Sequence, residues 1–361
     1  MNLIQILEAF KNDRAIAPNI AIWKQFPARE GIYEDYPDYL DEKLVRILKS
    51  RGINKLYSHQ RRAVDSIHTG NNTVIVTPTA SGKTLCYNIP VLDDIMRNSS
   101  TRAMYIFPTK ALSQDQLAEL TGLIDNLDVD IKTYTFDGDT PQTARRLIRS
   151  AGHIVVTNPD MLHAGILPHH TKWIKLFENL KYVVIDEIHH YRGIFGSHLS
   201  NVIRRLRRVC NFYGSDPIFI CSSATIANPD ELAQKITGQK VNLIDKNGAP
   251  TGEKHFIIYN PPVINKQLGI RKSALNESLH LAEHFIRERI QTIVFAQYRL
   301  QVEVLLSYLR ERFKEPFAKN IKVAGYRGGY LPNQRRDIEH GLRNGSITGV
   351  VSTNALELGI D

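Results

Sequence analysis

The residues Thr77-Pro-Thr-Ala-Ser-Gly-Lys-Thr84 have the types and spacing of a phosphate-binding loop. They follow the β-branched run Thr73–Val76 and open a stretch of helical periodicity. Backbone N–H groups of Thr79, Ala80, Ser81 and Gly82, with the positive end of the helix, would then face a β-phosphate. Lys83 would neutralise the β- and γ-phosphates, and Thr84 would offer its hydroxyl to Mg2+. Thr77 stands where the pattern has its first glycine, so a surface turn with a chance Gly-Lys-Thr stays open on this segment alone. The second chemical signal is Tyr182-Val-Val-Ile-Asp-Glu-Ile-His189. Its carboxylates end an apolar strand, where open α/β sheets bind ligands. Asp186 suits a metal opposite Thr84. Glu187 suits orienting and deprotonating the water that attacks a γ-phosphate. His189 suits relaying phosphate state to neighbouring loops. An acidic pair after a strand is also commonly a solvated turn, but its place downstream of a phosphate loop favours chemistry.

Both segments need strands to hold them. Short apolar runs recur at Thr73–Val76, Ala103–Phe107, Ile131–Tyr134, Ile154–Thr157, Tyr182–Ile185 and Pro217–Cys221, with helical stretches such as Leu85–Met96 and Ser113–Asn126 between them. Strands alternating with helices predict βαβ units and a buried parallel sheet. Residues 246–253 are turn-rich and read as a linker. The alternation restarts with His255–Tyr259, Thr292–Phe295, Lys322–Tyr326 and Gly349–Ser352, separated by helices Leu275–Arg289 and Leu300–Phe313. The expectation is an α/β protein of two domains with parallel sheets flanked by helices, 52–245 and 254–361. Residues 1–51, with helical patterns around Leu3–Phe10 and Leu40–Leu48, form an accessory N-terminal segment. The second domain stops just past a strand and reads as incomplete.

The composition permits this. A chain of 361 residues, 42% hydrophobic and 23% charged, is of ordinary globular type. Its net charge of +9 suits a polyanion, though charge alone argues only non-specific attraction. Cys86, Cys210 and Cys221 form no C-x-x-C pair, so neither a disulfide framework nor a four-cysteine zinc site is legible. No leader pattern and no membrane-length apolar run is present, and the chain reads as cytoplasmic, with no membrane partner.

With these motifs in this order the chain resembles the superfamily 2 helicases of DEAD/DEAH-box type. The resemblance covers residues 55 to 361 and implies two RecA-like domains, ATP and Mg2+ in the cleft between them, and nucleic acid across both. Tyr57-Ser-His-Gln60 resembles the Q motif, with Gln60 the candidate adenine reader and Tyr57 beside it. Phosphate contacts are implied for Thr109 and Lys110 in motif Ia, Gly138 in the element after it, and Thr157, Asn158 and Pro159 in motif Ib. Ser223 and Thr225 match motif III, which couples hydrolysis to domain motion. In the second domain, Arg299 falls in motif IV, Arg327 and Gly328 in motif IVa, and Ser352 and Thr353 in motif V. Gly359 and Asp361, also in motif V, are expected near the nucleotide.

The run Asp186-Glu-Ile-His-His-Tyr-Arg-Gly-Ile-Phe-Gly-Ser-His198 is similar to one branch, the bacterial mitomycin-repair factor A helicases and their fungal RecQ4-like relatives. That branch implies a DNA repair motor moving 3′ to 5′ on single-stranded or partly duplex DNA. Motif VI and a cysteine-rich C-terminal domain belong to the branch and do not occur in this sequence. A truncated motor core is therefore expected. An RNA helicase, and a nucleic-acid-binding fragment without ATP turnover, are the alternatives. Arg204, Arg205, Arg207 and Arg208 could line a DNA path, though a solvated helix face is favoured. For His169-His170 a loop is favoured over a metal site, and for Trp23 and Trp173 packing over base stacking.

Overall fold

The computed structural model of the protein describes residues 1–314 and 321–356. Gly359 and Asp361 lie outside them. The chain divides into two units, one spanning Arg29–Thr251 and the other joining Met1–Ala28 to Gly252–Asp361.

The larger unit is built on seven strands: β1 (Thr73–Val76), β2 (Arg102–Ile106), β3 (Thr133–Thr135), β4 (Ile154–Thr157), β5 (Leu180–Ile185), β6 (Ile218–Ser223) and β7 (Asn242–Ile244). All pair in parallel, in the order β7-β1-β6-β5-β2-β4-β3. Every residue of β1, β2 and β4 is buried, because helices cover both faces of a parallel sheet. Side chains alternate between the faces, so each strand feeds two cores. Ile75, Tyr105, Val156, Val184 and Ile220 enter one layer with helices α1 (Ser58–His68) and α2 (Lys83–Arg97). Val74, Ile106, Val155, Ile185 and Cys221 enter the other, with α4 (Gly193–Phe212). Each such buried aliphatic side chain stabilises the fold by about 1.5–3 kcal/mol, and the sheet edge that carries the loops inherits that rigidity. Helix α3 (Lys110–Asp125) follows β2.

In the smaller unit β8 (Thr292–Phe295), β9 (Val323–Tyr326) and β10 (Gly349–Ser352) form a parallel sheet in the order β8-β10-β9. The expected strand at His255–Tyr259 is present as Lys254–Tyr259, but it stands outside this sheet and pairs antiparallel with Ile20–Phe26. Its alternation explains why. His255, Ile257 and Tyr259 are half-buried while Lys254, Phe256 and Ile258 are exposed, the pattern of a ribbon solvated on one side. Beneath it, the helix Leu3–Asn12 packs Ile6 and Phe10 against Leu281, Phe285 and Ile290.

The N-terminal 51 residues are thus divided between the units. Residues 1–28 belong with the smaller one, whereas Tyr33–Glu34 pairs with Leu56–Tyr57 and the helix Glu42–Ser50 buries Leu44 and Leu48 in the larger. The turn-rich segment is anchored as well, with Arg29 and Thr251 exchanging backbone hydrogen bonds. Among the described residues no helix is long and apolar enough to cross a membrane.

Candidate nucleotide site and nucleic-acid surface

Strand register brings the chemical segments together. Val76 lies opposite Ser223, and Ile185 opposite Cys221, so β1, β6 and β5 end at one edge of the sheet. The loop after β1 turns through two left-handed residues, Ala80 (φ 59°) and Gly82 (φ 74°), before α2 begins. The left-handed φ of Gly82 favours glycine, and a Cβ there would lie 2.6 Å from Gln60 Nε2 and push that amide aside. Thr77 is fully buried, with its Oγ1 2.6 Å from Ser81 Oγ, a brace across the loop that glycine could not supply. The Lys83 ammonium donates to the carbonyls of Thr77 (2.9 Å) and Pro78 (3.0 Å). Pro78, Thr79 and Ala80 are exposed.

Two side chains of α1 hold the loop from behind. Gln60 accepts from the Tyr57 amide (2.9 Å) and donates to the Gly82 carbonyl (2.9 Å). His59, whose role sequence reasoning missed, is fully buried. Its Nδ1 accepts from the Gly248 amide at 3.2 Å, which leaves Nε2–H to donate to the Ser81 carbonyl at 3.0 Å. Burial, with the charge of Lys83 adding, pushes the ring's pKa down to about 4, against the Ser81 hydrogen bond. The Tyr57 ring stacks on His59.

Thr84 donates to Gln116 Oε1 of α3 at 3.0 Å, and Tyr87 reaches the same oxygen at 3.4 Å. Burial and then the charge of Asp186 hold the Tyr87 phenol well above its usual range. Asp186 is itself buried and accepts from the Ser222 hydroxyl and from the Glu187 amide (3.0 Å). Thr84, Gln116 and Asp186 each offer oxygen, the donor type hard divalent cations take. Gln116 and Ser222 carry no motif signature, and only the fold places them.

Glu187 adopts a left-handed backbone (φ 52°), unusual for a residue with a side chain. Its carboxylate lies 3.0 Å from His189 Nδ1, which also accepts the Ala224 amide at 3.2 Å. One nitrogen thus faces an anion and a donor. Neutral with its proton on Nε2, the ring takes the Ala224 N–H; protonated, it pairs with Glu187. Burial raises the Glu187 pKa, but the His189 hydrogen bond and charge, together with Lys83, outweigh it and leave the carboxyl below its usual range. The acidic segment therefore contacts Ser223-Ala-Thr225 through the backbone of Ala224. Ser223 is buried with its hydroxyl unbonded among the described residues, and Thr225 is exposed.

The residues assigned to nucleic acid fall in two groups. In the larger unit Thr109 caps α3 by accepting from Leu112 N (3.3 Å), and Lys110 Nζ pairs with Asp139 at 2.7 Å, beside Gly138. Thr157 is buried and its hydroxyl donates to the Phe136 carbonyl (2.8 Å). Asn158 caps the next turn through Met161 N (2.8 Å), and Pro159 is buried. In the smaller unit Phe295, Ser352 and Tyr326 are in register, so the segments after β8, β9 and β10 share an edge. Arg299 and Gly328 are near neighbours there, and Arg327 pairs with Glu303 at 2.6 Å. Ser352 is buried with its hydroxyl on the Thr353 carbonyl (2.6 Å), while Thr353 Oγ1 accepts from Ala355 N (3.3 Å). Trp173 lies fully in the core, and His170 bonds the Tyr213 hydroxyl (2.9 Å).

Comparison with known proteins follows this division. The DEAD/DEAH box helicase family model matches residues 57–232, and that of the helicase conserved C-terminal domain matches 274–361. The uncharacterized ATP-dependent helicase YprA of Bacillus subtilis is 57% identical over 343 residues, covering 95% of this chain and 46% of YprA. The ATP-dependent helicase hrq1 of Schizosaccharomyces pombe is 39% identical over 345 residues, covering 93% of this chain and 32% of hrq1. The crystal structure of the DUF1998 helicase MrfA bound to DNA and AMPPNP superimposes with a TM-score of 0.94 at 54% identity, over 100% of this chain and 50% of MrfA. The chain therefore spans half or less of the length of each.

Proposed function

We propose, for a chain that belongs to the DEAD/DEAH-box helicases of superfamily 2 and to their YprA, Hrq1 and MrfA branch, that it is an ATP-driven motor core acting on single-stranded or partly duplex DNA. The observation that carries this reading is the shared sheet edge. Phosphate loop, buried Asp186 and Glu187 all end there, and the charge of Lys83 reaches the Glu187 carboxyl. Lys83 exchanges its two carbonyl partners for the β- and γ-phosphates, while the amides of the loop and of the α2 N-terminus take the remaining oxygens. Thr84 and Asp186 would hold Mg2+, which neutralises charge on the phosphates. Glu187, kept ionised, accepts the proton of the attacking water, and His189 moves between Glu187 and Ala224 N–H as charge at that water changes. Gln60 and Tyr57 stand beside the loop where an adenine would lie.

DNA is favoured over RNA because MrfA, at 54% identity, was crystallised with DNA. Movement 3′ to 5′ and a role in DNA repair complete the proposal. The test is steady-state ATP hydrolysis by the 361-residue chain with single-stranded DNA, with RNA and with neither, alongside Glu187→Gln. Turnover stimulated by DNA and abolished by the substitution is expected. Stimulation by RNA alone refutes the DNA assignment. Binding of nucleotide and DNA without turnover assigns this stretch a binding role and places hydrolysis in residues the longer relatives contain. Duplexes with a single 3′ or 5′ tail then decide polarity.

A further inference from the structure

The ribbon formed by Ile20–Phe26 and Lys254–Tyr259 half-buries Ile20, Trp23, His255, Ile257 and Tyr259 on one face and leaves the other open. Register sets the open face: Ile22 lies opposite Ile258, Lys24 opposite Phe256, and Phe26 opposite Lys254. Two phenylalanines and two lysines therefore alternate as a checkerboard, with two isoleucines beside it. Phe26 is 43% exposed and Phe256 is 56% exposed, and the Lys24 ammonium stands 4.9 Å above the Phe26 ring. An apolar face built to meet a protein core would not set a cation opposite each ring. Diagonal neighbours on one face of an antiparallel pair lie roughly 7–8 Å apart, wide enough for the rings to take two successive splayed bases. Sheet-borne aromatics used in this way stack bases without regard to sequence, and interleaved lysines meet the phosphates between them.

We infer that this ribbon is a second binding surface for single-stranded nucleic acid, separate from the motif loops at the sheet edges. The inference rests on the nucleic-acid reading proposed above. Its chemistry is stacking on Phe26 and Phe256 with phosphate pairing to Lys24 and Lys254. The net charge of +9 gives the required attraction, and a neutral or basic partner has nothing to gain from the lysines.

The test measures fluorescence anisotropy of a labelled oligothymidine, and of an abasic strand of equal length, with the 361-residue chain. The variants are Phe26→Leu with Phe256→Leu, which keeps the face apolar but removes the rings, and Lys24→Gln with Lys254→Gln. Far-UV circular dichroism and nucleotide affinity check that both variants fold. The leucine pair is expected to bind oligothymidine roughly tenfold or more weakly, by the usual worth of base–aromatic stacking, and the abasic strand as the wild type does. The glutamine pair is expected to flatten the slope of log K against log salt by about 1.4, at about 0.7 per phosphate contact. Wild-type affinity in the leucine pair, or equal losses on both strands, overturns the stacking surface while leaving the motor reading intact. Loss of a dimer in sedimentation without loss of DNA affinity makes a second copy the occupant and likewise overturns it. A wild-type chain that binds no single strand overturns both.

Discussion

His59→Ala is the substitution whose consequences the geometry defines best. The ring is fully buried and joins Ser81 of the phosphate loop to Gly248, far along the chain. Removing it leaves a buried N–H and a buried carbonyl without their partner, at about 1–3 kcal/mol each. A loss of about 3 kcal/mol from the larger unit at pH 7 is expected. The histidine also makes that stability depend on pH. Its folded pKa, about 4, lies below the ordinary value of 6.5, so between these limits the unfolded chain binds more protons. The contribution is complete above pH 6.5 and is lost as pH falls toward 4. Discounted for solvent screening, it is about 2 kcal/mol. Urea unfolding, followed by fluorescence of the buried Trp173 in a Trp23→Phe background, reports on the larger unit alone. The gap between parent and His59→Ala should be widest at pH 7 and narrow by about 2 kcal/mol at pH 4. A gap under about 0.5 kcal/mol at pH 7, or one that holds constant with pH, would falsify the assignment of this ring as the brace.

Gly82→Ala should destabilise the larger unit by about 1–3 kcal/mol and weaken nucleotide binding, since a left-handed alanine is strained and its Cβ would meet Gln60 Nε2 at 2.6 Å; calorimetry with a non-hydrolysable nucleotide measures both. Lys110→Ala breaks an exposed ion pair with Asp139 and should cost under about 1 kcal/mol in unfolding experiments, yet flatten the salt dependence of DNA binding by about 0.7; an unchanged slope removes Lys110 from the phosphate path. Burial pushes the thiols of Cys86 and Cys221 up to about 12 and that of Cys210 to about 11. Iodoacetamide at pH 8 should therefore label none of the three before unfolding, and rapid labelling of the native chain contradicts this packing.

Strands of the larger sheet were legible because both their faces are covered. An uninterrupted apolar run has few other uses, and Thr73–Val76 and Ile154–Thr157 fall where that rule puts them. The edge strand Asn242–Ile244 has two exposed residues of three and gave no such signal. Ile20–Phe26 was hidden in another way, within a proline-containing stretch whose partner lies more than two hundred residues on. Lys83, Thr84, Asp186 and Glu187 could be singled out in advance as candidates, by type and spacing. Their supports could not. His59, Gln116 and Ser222 act through neighbours distant in sequence, and a lone histidine, glutamine or serine carries no local sign of that duty. Thr77 appeared as a departure from a pattern, whereas its hydroxyl bonds Ser81 inside the loop.

The discontinuous smaller unit has a consequence for synthesis. Arg29–Thr251 is one continuous stretch of chain, whereas the smaller unit joins two stretches made far apart in time. At about 5–20 residues per second, the strand Ile20–Phe26 leaves the ribosome roughly 10–45 s before its partner does. Throughout that interval a β-prone segment carrying Ile20, Ile22, Trp23 and Phe26 has both edges unpaired, the condition under which nascent chains join one another. Lys24 within the strand and Pro27 just after it are the residue types that guard such edges. The same lysine inferred to meet phosphates in the finished protein would thus serve earlier, keeping the newborn strand single until Lys254–Tyr259 emerges.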